Sequence, residues 1–275
     1  MTLPTTPTTF TPIAPLEPLQ PSPRAGWRAI WALMLREMAT TFGRSPGGWI
    51  WAVAEPVAVI ALLAFAFSLA FRAPSLGTSF PLFYATGYLP FLLFQDVSSK
   101  LAQSLRFSRP LMTYPRVTWF DALMARLALN IATHLVVACI VIAGIEVFWP
   151  SGAQYDARHL AAGFAMAAVV AVGVGTINCY LFTVFAPAER IWLIISRPLF
   201  IASGVFYIFE DLPGSLGDLL WYNPLLHVVG SVRAGAYGAY DPAYVTPLYP
   251  LGIGLGALTL GLILLRGCGA DLLRR

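Results

Sequence analysis

Only 11% of this 275-residue chain is charged, whereas 58% is hydrophobic, and the mean hydropathy is +0.72. A soluble domain carries about 25% charged residues, so the composition excludes one and indicates a chain that meets lipid along much of its surface. The formal charge of +4 comes from basic residues scattered between apolar runs, which excludes the clustered basic stripe of a nucleic-acid-binding surface.

Taken in order, residues 1–24 form a Thr/Pro-rich tail without an apolar core, expected to be disordered and to carry no cleavable signal. Over 25–43, Trp27, Ile30, Trp31, Met34, Leu35 and Met38 recur at helical spacing with Arg28, Arg36 and Glu37 between them. That pattern predicts an amphipathic helix lying in the headgroup plane. Phe42, Gly43 and Arg44 then lead through Ser45-Pro46-Gly47-Gly48 into the first long apolar run. Six such runs follow, at 49–71, 81–102, 119–148, 159–185, 191–209 and 247–266. At 1.5 Å per residue, about 20 residues cross the roughly 30 Å hydrocarbon core. The expected fold is therefore an all-α integral membrane domain over 25–275, without room for a separate soluble catalytic domain.

The first run contains Glu55-Pro56, a kink beside a carboxylate that must face protein, a cavity or the interface. The second is interrupted by Gly87 and Pro90 and turns polar at Gln95, Asp96, Ser98, Ser99 and Lys100. Between the second and third lies the short basic, aromatic segment 104–116, with Arg106, Arg109, Pro110, Leu111, Tyr114, Pro115 and Arg116. It is either a plain connector or a docking element, since apolar anchors mixed with Arg suit an interface. In the third run Arg126, Asn130 and His134 are spaced i, i+4, i+8 and share one face. Exposing that face to lipid is costly, so it must meet protein or water. Either it bonds neighbouring helices and fixes the bundle, or Arg126 faces a passage. The fourth run repeats Gly163, Ala167, Ala171 and Gly175 every four residues, a groove for close helix packing. Residues 210–246 are apolar yet split by Asn223-Pro224 into pieces too short to cross, which predicts a re-entrant helix pair rather than a bare loop.

Of the 17 Lys and Arg residues, all but Arg72, Arg158 and Arg233 flank the even-numbered boundaries of these runs. Basic residues stay in the cytoplasm, so six crossings would place both termini inside. Trp27, Trp31, Trp49 and Trp51 then fall at the cytoplasmic interface, where an aromatic belt is expected.

Chemistry is sparse. The histidines His134, His159 and His227 are far apart; His159 is expected to be solvated at a helix end. Cys139, Cys179 and Cys268 lack metal or disulfide spacing, and no zinc-binding HExxH pattern occurs, so no metal site is expected. The single lysine, Lys100, follows no glycine-rich loop. Without a Walker A sequence the chain cannot hold ATP in a P-loop, so any ATPase must be another polypeptide.

Leu35-Arg36-Glu37, Phe42-Gly43-Arg44, Gly48-Trp49-Ile50-Trp51-Ala52 and Glu55-Pro56 together resemble the start of polysaccharide-exporting ABC permeases. Gly87-Tyr88-Leu89-Pro90-Phe91, Tyr114-Pro115-Arg116-Val117, Asp121 and Ala125-Arg126 continue the resemblance in order. So do Arg197-Pro198-Leu199-Phe200, Ser203-Gly204-Val205-Phe206-Tyr207, Leu212-Pro213 and Asn223-Pro224-Leu225 with His227 and Arg233. The resemblance covers roughly 30–265 and is nearest to capsular polysaccharide export permeases, next to O-antigen permeases. It implies a type-2 ABC exporter subunit in the bacterial inner membrane that forms a homodimer over two copies of a separate ATPase. ATP and magnesium would then belong to that partner, and this chain would hold no cofactor. The resemblance also implies that 104–116 couples to the ATPase and that the interface helix, with Arg36, Glu37, Phe42 and Arg44, touches it. The substrate would be a lipid-linked, often acidic glycan, with Glu55, Asp96, Arg126, Asn130, His134 and Tyr207 as candidates along its pathway. A co-polymerase-type export protein of the inner membrane and periplasm is a further partner that it leaves open. Teichoic-acid or drug export, and a secondary transporter or channel, are the rival readings. No internal repeat or acidic relay supports the last, and no acid, base or metal cluster supports a membrane-embedded transferase.

Overall fold

The computed structural model of the chain describes residues 24–41, 47–108 and 119–272, which contain helices and no strands. The tail 1–23, Phe42, Arg44 and the coupling residues Arg109, Pro110, Leu111, Tyr114, Pro115 and Arg116 lie outside them. The amphipathic helix is α1, Arg24–Thr41. The first run is α2, Gly48–Ala70, launched by Gly47 at φ +86°, a left-handed geometry that glycine adopts freely. The second is α3, Phe80–Ala102, capped by the Ser79 hydroxyl, which accepts from the Leu82 amide.

Helix α3 is continuous through Gly87 and Pro90, contrary to the break expected there. Both residues are buried, so neighbouring helices cover the backbone that proline leaves unbonded. Gly87 serves approach rather than bending: a Cβ there would lie 3.0 Å from the Val205 backbone and 3.3 Å from the Arg233 guanidinium.

A short helix follows, α4, Ser104–Ser108. Then come α5, Trp119–Phe148, α6, Ala157–Val184, and α7, Ala188–Ala202. The apolar segment after α7 holds a 3-10 turn, Phe209–Asp211, and two short helices, α8, Gly214–Leu220, and α9, Pro224–Ala236. They meet at Asn223-Pro224, where the split was expected. The Asn223 carboxamide accepts from the Leu225 amide to cap α9 and donates to the Ala202 carbonyl at the end of α7, at 2.8 Å. The last helix is α10, Leu248–Leu272.

Among the described residues, four stretches are long and apolar enough to cross a membrane: α2, Leu123–Phe148 of α5, α6 and Leu248–Gly267 of α10. Helix α3 matches them in length with 23 residues but is more polar, and α7 has only 15 residues. The reason for the first is position. Helices α3 and α6 form the centre, α9 and α10 pack on α6, and α2 and α5 flank α3, with α1 against α5. A helix enclosed by others has no lipid to satisfy, so its composition need not be as apolar as that of a peripheral one.

The small residues of α6 behave as expected. Ala167 and Ala171 are fully buried, Gly163 receives Val228 and Val232 of α9, and Gly175 receives Ser98 and Leu101 of α3. A second seam, Gly173 against Gly254, brings the α10 backbone onto α6.

Candidate functional site

The polar stripe of α5 meets protein at every member. Arg126 and Asn130 are buried, His134 is partly so, and Arg126 is the centre of a four-element junction. Its Nε lies 2.9 Å from Glu37 Oε1 and donates to Oε2 at 3.1 Å, joining α5 to α1. Its Nη1 donates to the Lys100 carbonyl at 3.0 Å, near the end of α3. Its guanidinium stacks 4.1 Å from the centre of the Phe107 ring on α4, while Arg36 of α1 lies 5.7 Å from the same ring. The Arg126 and Glu37 side chains are only 9% and 13% exposed, so each charge depends on the other.

One and two turns further on, Asn130 donates to the Arg126 carbonyl, and His134 Nε2 lies 3.2 Å from Asp96 Oδ2, with Lys100 3.9 Å from the same oxygen. The stripe therefore knits α5 to α3 and α1. Four candidates, Asp96, Arg126, Asn130 and His134, are brought together with Arg36 and Glu37. Glu55 is exposed on α2 and, among the described residues, joins none of their ion pairs.

Arg106 turns the other way from Phe107. Its Nη1 donates to Glu189 Oε2 at 2.8 Å in the first turn of α7, and its Nη2 donates to the Phe182 carbonyl in the last turn of α6. Ser104 Oγ sits 3.7 Å from Cys179 Sγ on α6, so α4 is pinned on both flanks.

Tyr207 belongs to a different place, the corner beyond α7. There the chain turns at Gly204, φ +80°, and leaves helical hydrogen bonding. Arg233 of α9 supplies the missing donors: Nη1 to the Tyr207 carbonyl at 2.6 Å and Nη2 to the Val205 carbonyl at 3.0 Å. Its guanidinium also stacks 4.2 Å from the Phe83 ring. Arg233 falls, with Arg72 and Arg158, outside the basic flanks of the apolar runs, and it is a fully enclosed residue of α9. The signal available in the sequence was a lone charge inside the apolar run 225–236, a pattern that marks a burial partner.

Beside this corner His227 is also enclosed. Its Nδ1 accepts from the Thr246 amide, leaving Nε2 to donate to the Trp221 carbonyl at 2.8 Å, an arrangement only the neutral ring supports. His159 remains exposed and hydrogen-bonds Asp156, a bond that holds the Asp156 carboxyl below the usual carboxylate range. Phe107 and Glu189 were not singled out by sequence reasoning, and Arg233 was noted without a role, because each acquires its role from a partner distant along the chain.

The model of the ABC-2 type transporter family matches residues 28–237, which contain both the Arg126 junction and the Arg233 corner. The chain belongs to the ABC-2 type transporter family. Within curated ABC-2 relatives, it is 26% identical over 238 residues to the polysialic acid transport protein KpsM of Escherichia coli, covering 86% of this chain and 91% of that one. The capsule polysaccharide export inner-membrane protein CtrC of Neisseria meningitidis is 27% identical over 236 residues, covering 86% and 89%. BexB of Haemophilus influenzae, of the same description, is 24% identical over 240 residues, covering 87% and 90%. An ABC-2 chain of this kind is a multi-pass membrane subunit of a transporter, consistent with its four long apolar helices.

Proposed function

We propose that the chain is the transmembrane subunit of an ATP-driven exporter that carries a lipid-linked capsular polysaccharide across the bacterial inner membrane. The observation that carries this is the near full-length similarity to three capsule or polysialic acid transport proteins, rather than to one shared motif. The subunit acts as a homodimer over two copies of a separate ATPase, which binds ATP and magnesium. Six crossings are made by α2, α3, α5, α6, the apolar run 191–209 that continues α7 through the turn after it, and α10; α8 and α9 form a re-entrant pair in the outer leaflet, and both termini are cytoplasmic. A co-polymerase-type export protein receives the glycan on the far side.

Coupling runs through the segment 104–116 and helix α1. Support comes from the Arg126 junction, where α1, α3, α4 and α5 share one guanidinium, so a displacement of α4 is felt by the other three. The stripe thereby serves first as a transmission piece rather than as bare pathway lining. Glu55, Asp96 and Tyr207 remain pathway candidates, whereas the Arg126 charge is matched by Glu37 within the bundle and serves the junction.

Deleting the chain tests the export reading. Capsular glycan is expected to accumulate inside the cell, and an ATPase bearing a Walker A motif is expected to copurify with the tagged chain. Tyr114→Ala combined with Arg109→Glu should uncouple ATP hydrolysis from export or release the ATPase without loss of membrane insertion. Normal surface glycan in the deletion strain would defeat the proposal.

A further inference from the structure

Helix α7 is held unevenly. Along its length only Ser196 is buried, and Ile191, Leu193, Ile194, Ile195 and Ile201 are exposed. Its far end is anchored firmly. Phe200 packs 4.9 Å from Phe91 and 5.1 Å from Phe206, between ring centres, and Asn223 and Arg233 bind the carbonyls of Ala202, Val205 and Tyr207. Its near end is anchored to α4 through one exposed ion pair, Arg106–Glu189 at 2.8 Å. The same arginine binds the Phe182 carbonyl at the end of α6, just before the turn into α7.

We infer that Arg106 and Glu189 are positioning residues that make α7 a lever: α4 moves its near end, and the Arg233 corner is its pivot. A helix transmits displacement along its length, and this one, 15 residues with Pro198 inside it, spans about 22 Å. The Arg126 junction delivers the motion of α4 to α1, α3 and α5; Arg106 delivers it to α7, an element outside that junction. An exposed ion pair contributes little to stability. Its loss should therefore change where α7 sits rather than whether the chain folds.

The export arm of the test rests on the function proposed above; the distance arm does not. In a cysteine-free background, spin labels replace Leu181 on α6 and Leu193 on α7, with Leu181 and Val136 on α5 as the reference pair, each diluted with unlabelled chain in lipid nanodiscs. Arg106→Glu and Glu189→Arg are each expected to shift the α6–α7 distance by about 2 Å or to broaden it, leaving the reference pair and the thermal midpoint unchanged. Export should fall about tenfold while the ATPase still copurifies and turns over. The double exchange, Arg106→Glu with Glu189→Arg, should restore part of both distance and export, the bond to the Phe182 carbonyl being lost with Arg106, and Arg106→Lys should also restore part. Single variants with parental distances, or a double exchange that restores nothing, would overturn the lever. So would a midpoint that falls in step with the loss of export, since that would make the pair structural. If surface glycan is independent of this chain, the export proposal fails and the distances still decide the lever.

Discussion

Replacing Arg126 by glutamine removes an ion pair, a bond to the Lys100 carbonyl and a stacked ring in one step, and strands Glu37 with little water. Breaking a buried pair on one side costs about 3–5 kcal/mol. The thermal midpoint of the purified protein should fall accordingly, and Glu37→Gln should fall with it. The two together should cost less than the sum, since each single change leaves the other charge alone. A parental midpoint in both single variants would show that the face is already solvated. At Arg233 the expectation is sharper. Lysine keeps the charge but cannot bind the Val205 and Tyr207 carbonyls and lie flat on Phe83 at once, so Arg233→Lys should destabilise nearly as much as Arg233→Met. Charge-assisted bonds of this kind contribute about 1.5–3 kcal/mol each. Recovery of the midpoint by lysine alone would mean that charge, not geometry, is what the corner needs.

Among elements, α6 is the one whose packing its sequence announces. Gly163, Ala167, Ala171 and Gly175 give a groove at four-residue spacing, and α9 and α3 lie in it. A Cβ at Gly175 would meet Leu101 and the Ser98 carbonyl at 2.9 Å, so Gly175→Val should destabilise by about 1–3 kcal/mol. Gly144 on α5 is the control: an added Cβ meets nothing within 4 Å, and Gly144→Ala should be neutral or stabilising by up to about 1 kcal/mol through helix propensity. A lowered thermal midpoint for Gly175→Val and an unchanged or raised one for Gly144→Ala check both. Helix α3 was less legible. Gly87 and Pro90 suggested a break because local rules treat both as helix breakers, whereas enclosure by neighbours keeps the helix whole. Helix α7 was legible as apolar over 191–209 but not in extent, because Gly204 and the Arg233 bonds end it early.

For the whole molecule, the orientation rests on basic residues alone. Cysteines introduced at positions 4 and 274 should be shielded from an impermeant thiol reagent in intact cells, and one at 154 should label. Labelling at both termini from outside would reverse the topology and move 104–116 away from any cytoplasmic ATPase.

Composition and period determined by themselves that this is a helical membrane chain, where its apolar runs lie, that α5 carries a polar face and α6 a smooth one, and that these 275 residues contain no Walker A sequence. These follow from a single segment and its solvent, so they survive without knowledge of neighbours. Only the tertiary structure decided that Glu37 neutralises Arg126, that two arginines meet the Phe107 ring, that Arg106 reaches α7 and that Arg233 closes a corner 26 residues from the Tyr207 carbonyl it binds. Each is a pairing between residues distant in sequence. A charge buried in a bundle announces that it needs a partner, but which partner it finds depends on how the helices pack.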